Sequence, residues 1–311
     1  MEFICGTTEF QYHNSCVTLG KFDGLHRGHQ LLFSYLDKYE QQGYTSVMFT
    51  FDYHPGNLFS EREIDLIYTE EEKKVLLSKG GPQVLISYPF TKESASMEPE
   101  EFISKVLVQQ LDAKIIVVGK DYRFGRKRRG DVAMLNEYAA IYGYKLIACE
   151  KLTMDGKVIS STRIREELRL GHMEYVNEML GHPYTIIGTV ITGRQLGRTI
   201  GIPTVNILPL AHKLLPPNGV YASIVRVNGK SYRGVTNIGC KPTVEHNNLI
   251  GVETHLFDFN EDIYGQEIRV ELYTYTRSET KFSSVSELKS RVEKDIELAK
   301  EYFNQSPYDL T

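Results

Sequence analysis

The feature that most constrains this chain is a change of hydrophobic rhythm near residue 183. Before it, short apolar runs alternate with amphipathic stretches; after it, apolar runs follow one another with only turns between. In the first part "CVTLG", "SVMFTFD", "VLISY", "KIIVVG" and "KLIACE" are apolar, often β-branched, and flanked by turn residues. Between them lie segments such as "GHQLLFSYLDKYEQQ" and "EEFISKVLVQQL", where Phe102 and Val106 oppose Gln109 and Gln110 at helical spacing. Strand and helix in alternation predict an α/β domain with a parallel sheet covered on both faces. Gly181 and Pro183 stop a helix, and from Tyr184 come "YTIIGTVI", "VYASIVRV", "SYRGVTNI", "VETHLFDF" and "EIRVELYTY". Asn228–Gly229 marks a two-residue hairpin, and Ser284 with Glu287 has capping-box spacing before a last helix. The expectation is two domains, residues 1–183 and 184–311, the second a small antiparallel β-barrel with a terminal helix.

Charge narrows the partners. With 36 basic and 40 acidic residues the net charge is −4, which lacks the basic field of a nucleic-acid binder. The opening "MEFICGTTEFQYHNS" has no signal-peptide layout, and no apolar stretch reaches the roughly 20 residues of a membrane helix. Cys5, Cys16, Cys149 and Cys240 stand singly, as in reduced cytoplasmic proteins. A cytoplasmic protein acting on small molecules, with neither nucleic acid nor membrane as partner, is expected.

Chemistry concentrates first in "GKFDGLHRGHQ", residues 20–30. The strand before it delivers Gly20 at a carboxyl end, where open α/β sheets bind ligands. A helix starting near Gly28 puts His26 just ahead of it and His29 in its first turn. Helix-start amides and two imidazoles suit phosphate oxygens, and Gly24 and Gly28 allow close backbone approach. Short motifs also arise by chance, and a zinc site is the other reading of the pair, although no third ligand stands nearby. "ISSTRIREEL" puts Ser160, Ser161 and Thr162 at a helix start ahead of Arg163 and Arg165, a phosphate grip or an ordinary cap. "GKDYRFGRKRRGD" is a solvated loop or a basic flap over phosphates. In the second part Gly193, Gly197 and Gly201 recur without forming a Walker loop. Thr204 and Asn206 share a strand face, as do Glu253 and His255. A threonine hydroxyl suits Mg²⁺, an asparagine amide suits phosphate or metal, and a carboxylate suits a general base. Each also reads as a plain turn or a solvated barrel face.

Together these stretches resemble a family. "GKFDGLHRGHQLL", "GKDYRFGRKRRGD" and "ISSTRIREELRLG", in that order, are similar to the adenylyltransferase module of the bacterial bifunctional riboflavin kinase/FMN adenylyltransferases, or FAD synthetases. "GRTIGIPTVNI", "NGVYAS", "GVTNIGCKPTV", "ETHLFDFNEDIYGQEIRVEL" and "TRSETKF" are similar to their riboflavin kinase module. The resemblance implies a Rossmann-like nucleotidylyltransferase domain over 1–183 and a kinase barrel over 184–311. It implies two ATP-dependent steps, riboflavin to FMN and FMN to FAD with release of pyrophosphate, and Mg²⁺ as cofactor. By resemblance His26 and His29 hold ATP phosphates, Gly20, Phe22, Asp23 and Gly24 line the nucleotide cradle, and Ser161, Thr162 and Arg165 grip the same nucleotide. In the kinase Gly193, Gly197 and Gly201 cover the phosphates, Thr204 and Asn206 bind Mg²⁺ and nucleotide, and Glu253 is the base for the ribityl hydroxyl. The chain departs from the family at Val205, where alanine is usual, and at His182, Gln195 and Leu196; the stretch from Tyr53 offers no assignable FMN contact. A chain keeping one activity, or a flavin- or nucleotide-binding regulator, are the rival readings; a pure binder has no need of a base such as Glu253.

Overall fold

The computed structural model describes residues 1–52, 65–78, 80–193, 196–241 and 249–305. It forms two compact units, Met1–Ser161 and Thr162–Thr311. Gln195 and most of the stretch beginning at Tyr53 lie outside the described residues.

In the first unit the apolar runs become a six-stranded parallel sheet of order β1-β4-β3-β2-β5-β8. Its strands are β1 (Glu2–Cys5), β2 (Ser15–Leu19), β3 (Thr45–Phe51), β4 (Val84–Tyr88), β5 (Ala113–Gly119) and β8 (Lys145–Cys149). All five residues of β2 and of β4 are buried, as strands covered on both faces must be. Helices α1 (Arg27–Glu40), α2 (Glu70–Leu77), α3 (Lys92–Ser96), α4 (Pro99–Glu101) and α5 (Val132–Tyr142) connect them. On α1, Leu32, Phe33, Leu36 and Tyr39 make the apolar stripe that packs on the sheet. From β2 the chain adds strands toward one edge, then crosses to β5 and β8 on the other side. The topological switch point, where open sheets bind ligands, therefore lies between the carboxyl ends of β2 and β5.

Two features differ from the sequence reading. The edge strand β1 is four residues long and only partly buried, too short for a periodic signal. The segment Phe102–Gln110 is a helix of π type, which still buries Phe102, Ile103, Val106 and Leu107 as one stripe. The basic stretch after β5 folds as a small hairpin, β6 (Arg123–Phe124) and β7 (Gly130–Asp131), in which Arg126 and Arg129 both pair with Glu98. A second hairpin, β9 (Thr153–Met154) and β10 (Lys157–Val158), leads to α6 (Ser161–Leu170).

The second unit is a closed antiparallel barrel of order β11-β12-β15-β14-β13-β16. Its strands are β11 (Tyr184–Ile191), β12 (Val205–Ile207), β13 (Gly219–Val227), β14 (Lys230–Lys241), β15 (Leu249–Leu256) and β16 (Glu267–Ser278). The four-residue helix α8 (Leu196–Thr199) precedes β12. Asn228 and Gly229, at φ of 51° and 74°, make the left-handed pair of the β13–β14 hairpin. Inside the barrel the Thr236 hydroxyl donates to Ser223 Oγ at 2.7 Å and lies 2.8 Å from Thr254 Oγ1. Outside it, α9 (Val285–Gln305) lays Ala299 and Phe303 on Val220, Ala222, Ile224 and Tyr273. The Glu287 amide donates to Ser284 Oγ, while the Glu287 carboxylate reaches back to the Ser283 amide. The change of rhythm near residue 183 marks the start of β11, whereas packing divides the chain at Ser161. The reason is α7 (Met173–Leu180), which Asn177 ties to the barrel by donating to Leu272 O and accepting from the Tyr184 amide.

One buried ion pair locks α9 to the barrel. Arg277 on β16 makes three hydrogen bonds to Asp295, at 2.6, 2.9 and 3.1 Å, and the Asp295 side chain is 1% exposed. Removing one partner strands the other charge, so Asp295→Ala should destabilise the barrel unit by about 3–5 kcal/mol. Urea unfolding followed on the purified variant tests this; a loss below about 1 kcal/mol would show that the pair is not structural.

Candidate active sites

The first site is built by a sharp reversal after β2. Phe22, Gly24 and Leu25 have φ of 48°, 91° and 47°, three left-handed residues within four, and they turn the strand directly into α1. Only the glycine adopts this without strain, so the packing around the other two holds them there. Phe22 is fully buried; its ring lies against Gly20 and meets His29 and Phe33 at centroid distances of 5.1 and 5.5 Å. The buried Asp23 carboxylate accepts from the Ile67 and Tyr68 amides at 2.9 and 3.2 Å, and its carbonyl accepts from Ser161 Oγ at 2.8 Å. Phe22 and Asp23 thus shape the cradle from behind, and the polar face is left to the two histidines.

His26 stands at the N-cap of α1 without a side-chain capping bond, and His29 lies in the first turn. Their rings stack at 3.6 Å and 17°, and neither Nδ1 has a hydrogen-bond partner although both atoms are buried. Burial pushes the His26 imidazole down to about 4; His29, whose Nδ1 is buried, is held well below the ordinary range by desolvation, by His26 and by Lys73. Both are therefore neutral at pH 7. Two buried, unpaired ring nitrogens at a helix start and a switch point are an unfinished hydrogen-bond set. Among the described residues no group of three or more His, Cys, Asp and Glu could hold a metal ion, which removes support from the zinc reading. Ser161 belongs to this unit; Thr162 and Arg165 follow on α6 and are counted with the second.

The second site lies on the outer face of the barrel. β12 pairs Asn206 with Glu253 of β15, and β14 pairs Asn237 with the same Glu253. Directly opposed residues of an antiparallel pair share a face, so these three polar side chains form a row. The Thr204 hydroxyl donates to Glu253 Oε1 at 2.5 Å. Gly193 lets the Asn206 side chain pack close: a Cβ there would come within 2.5 Å of its Nδ2. Gly197 accepts from the Ile202 amide at 2.8 Å, and Gly201, at φ of 81°, sits in the turn that follows. Thr204 also lines a pocket of about 320 Å³ at the barrel mouth with Val190, Val205, Leu256, Phe259 and Tyr264. The hydroxyl proton of Thr204 is committed to Glu253, which leaves its lone pairs free for a hard cation. That donor set suits Mg²⁺, which takes few protein ligands and keeps water and phosphate for the rest.

Family comparison covers both parts of the chain. A family model described as FAD synthetase matches residues 9–163, and one described as riboflavin kinase matches residues 180–303. The chain is 38% identical over 292 residues to the bifunctional riboflavin kinase/FMN adenylyltransferase of Haemophilus influenzae, covering 93% of this chain and 94% of that one. It is 38% identical to the protein of the same name from Bacillus subtilis, covering 93% of each. The chain belongs to the bifunctional riboflavin kinase/FMN adenylyltransferase family. A crystal structure described as a macrolide-efflux protein from Streptococcus pneumoniae has the same fold, with a TM-score of 0.84 and 30% identity over 96% of this chain and 99% of that one. Among the described residues no helix is long and apolar enough to cross a membrane.

As a member of that family the chain shows one polar residue the motifs passed over. Asn237 stands across from Glu253, yet its sequence context, "GVTNIG", carries no sign of that pairing, because only strand register brings the two together. The histidine pair also makes a prediction. The unfolded chain binds protons on both imidazoles near pH 6.5 and the folded one only at much lower pH, so stability rises with pH across this window and falls on acidification. Each histidine contributes a slope of about 1.4 kcal/mol per pH unit. Between pH 6.5 and 5 the urea midpoint should drop more steeply in the wild type than in His29→Gln. Parallel profiles would show that the imidazoles are not held neutral.

Proposed function

We propose that this chain carries out both reactions of its family, phosphorylating riboflavin with ATP in the barrel and transferring AMP from a second ATP to FMN in the α/β unit. The observation that carries this reading is that each matched segment contains its own built polar site: the stacked His26–His29 pair in one, the Thr204–Glu253 hydrogen bond in the other. By motif content the transferase takes residues 1–183 and the kinase 184–311. No single-activity reading has an observation in its favour.

In the transferase, His26 and His29 bind the ATP phosphates through their ring nitrogens, with the α1 amides beside them. Gly20 and Gly24 bring backbone to the nucleotide; Phe22 and Asp23 fix the loop, to which Ser161 is bonded through the Asp23 carbonyl. The FMN phosphate is already an anion and attacks the α-phosphorus without a base, while pyrophosphate leaves toward the histidines. Incoming phosphate charge offsets the burial that keeps them neutral, so donors meet charge as it develops.

In the kinase, the barrel-mouth pocket takes the ATP base, Gly193, Gly197 and Gly201 shape the turn over its phosphates, and Thr204 and Asn206 hold Mg²⁺, which when bound neutralises phosphate charge. Glu253 accepts the proton of the ribityl hydroxyl, aligned by its bond from Thr204. The four cysteines are all free, which supports a reducing, cytoplasmic setting.

Two variants separate the sites. His29→Ala should lower FAD formation about 10²–10³-fold and leave FMN formation intact. Glu253→Gln should lower riboflavin phosphorylation about 10²–10⁴-fold while supplied FMN is still adenylylated. Chromatographic separation of riboflavin, FMN and FAD after incubation with ATP and Mg²⁺ reads both; equal loss of the two products in either variant would contradict a two-site enzyme.

A further inference from the structure

We infer that Lys73 is a further catalytic residue of the adenylyl transfer, the buried cation that meets the outer phosphates of ATP and stays with them as pyrophosphate leaves. This deepens the proposed transferase reading and rests on it. The connections from β2 to β3 and from β3 to β4 run in one direction across the sheet, and right-handed crossovers put α1 and α2 on the same face. Each helix starts at the carboxyl end of the strand before it, so the start of α2 lies beside the turn that carries His29. The contacts agree: the Ile67 and Tyr68 amides, just ahead of α2, donate to the Asp23 carboxylate of the histidine loop.

Lys73 is the fourth residue of α2, and its side chain is 5% exposed. Its ammonium pairs with Glu70 Oε1, and Glu70 Oε2 accepts from the buried Ser87 hydroxyl of β4 at 3.1 Å. The helix start is fixed by a capping box, in which Thr69 Oγ1 accepts from the Glu72 amide and the Glu72 carboxylate from the Thr69 amide. The charge of Lys73 reaches His29, where, after burial and His26, it helps to hold the imidazole below its ordinary range. An ammonium has three donors on a flexible stem, and Glu70 engages it through one oxygen. A buried ion pair often contributes no more stability than an apolar pair of the same size, so packing alone does not explain a charge in this place.

The chemistry calls for a cation here. Neutral imidazoles give hydrogen bonds and no formal charge. As an FMN phosphate oxygen bonds to the α-phosphorus, the bond from that phosphorus to the bridging oxygen breaks, and its electron pair leaves on pyrophosphate. Attacking and leaving oxygens stand roughly in line, so negative charge grows on the side away from FMN, toward the histidines. An ammonium on the neighbouring helix start is placed to meet that charge, and in a site with little water each such contact is strengthened. Glu70, itself held by Ser87, keeps the ammonium in position and still leaves it donors for phosphate.

The test is steady-state adenylylation of supplied FMN by the full chain, with urea midpoints to verify folding. Lys73→Met should lower kcat about 10²–10³-fold, and Lys73→Arg, which keeps the charge, should stay within about tenfold of wild type. Inhibition by inorganic pyrophosphate should weaken about tenfold to a hundredfold in Lys73→Met, the scale of a hydrogen bond to a charged group. The KM for FMN and the rate of riboflavin phosphorylation should stay within about threefold of wild type. Because Lys73→Met leaves Glu70 without its cation, the double variant Glu70→Gln/Lys73→Met removes both charges, and it should fold and remain as slow as Lys73→Met. A kcat within about threefold of wild type in Lys73→Met overturns the inference, as does recovery of kcat in the double variant or unchanged inhibition by pyrophosphate. His29→Ala runs beside these variants. If it is inactive while Lys73→Met is normal, Lys73 falls and the transferase reading stands; if the wild type forms no FAD from FMN, both fall.

Discussion

The kinase half of this molecule depends on strand register. Asn206, Glu253 and Asn237 come from three strands of a closed barrel and are neighbours only because β12, β15 and β14 pair as they do. Side chains alternate with a period of two, so a slip of one residue between any two of these strands would turn one member of the row into the barrel. The interior opposes such a slip, since Thr236 meets Ser223 and Thr254 there through hydroxyl contacts that exist in one register alone. A buried hydroxyl without its partner costs about 1–3 kcal/mol, so the polar core inside the barrel specifies the polar site outside it.

The α/β half solves its own problem by burial. Two imidazoles stacked at 3.6 Å with both Nδ1 atoms buried repel protonation, which keeps the pair uncharged at neutral pH. The same desolvation strengthens any hydrogen bond they make to an arriving phosphate. Phe22 and Asp23, conspicuous in the motif, serve that arrangement indirectly: one ring backs His29, and one carboxylate straps the loop to the Ile67 and Tyr68 amides.

Much of this was legible in the sequence, for a physical reason. Strand β2, the glycine-bearing turn and the start of α1 are contiguous, so residues 20–30 carry the histidine pair and its turn in local pattern, while Ser161 joins Asp23 from far along the chain. The hairpin at Asn228–Gly229 and the stop at Gly181 were readable for the same reason, because backbone conformation at those points demands those residues. What was not readable depends on distance along the chain. Asn237 meets Glu253 through register alone. The packing of α7 on the barrel arises from Asn177 bonds to Leu272 and Tyr184, which no periodicity announces. The π-type turn at Phe102–Gln110 kept its buried stripe, so its apolar pattern resembles that of an ordinary amphipathic helix.

The two sites also differ in the acid–base equipment they carry, and the difference follows from their nucleophiles. A phosphate monoester is ionised at neutral pH and attacks as it is; the site that receives it needs donors for accumulating negative charge, the role proposed for the two neutral imidazoles with unpaired nitrogens. A primary alcohol must lose its proton as it attacks, so its site needs an acceptor held at the reacting oxygen, the role proposed for Glu253, which accepts from Thr204. Exchanging the two arrangements would fail on both counts. A buried carboxylate beside the first triphosphate would add repulsion where charge is already in excess, and neutral imidazoles with pKa values pushed far below 7 would be feeble bases for an alcohol. One chain performing both steps therefore requires two separately built pockets, and the division of its sequence into two hydrophobic rhythms is the first trace of that requirement.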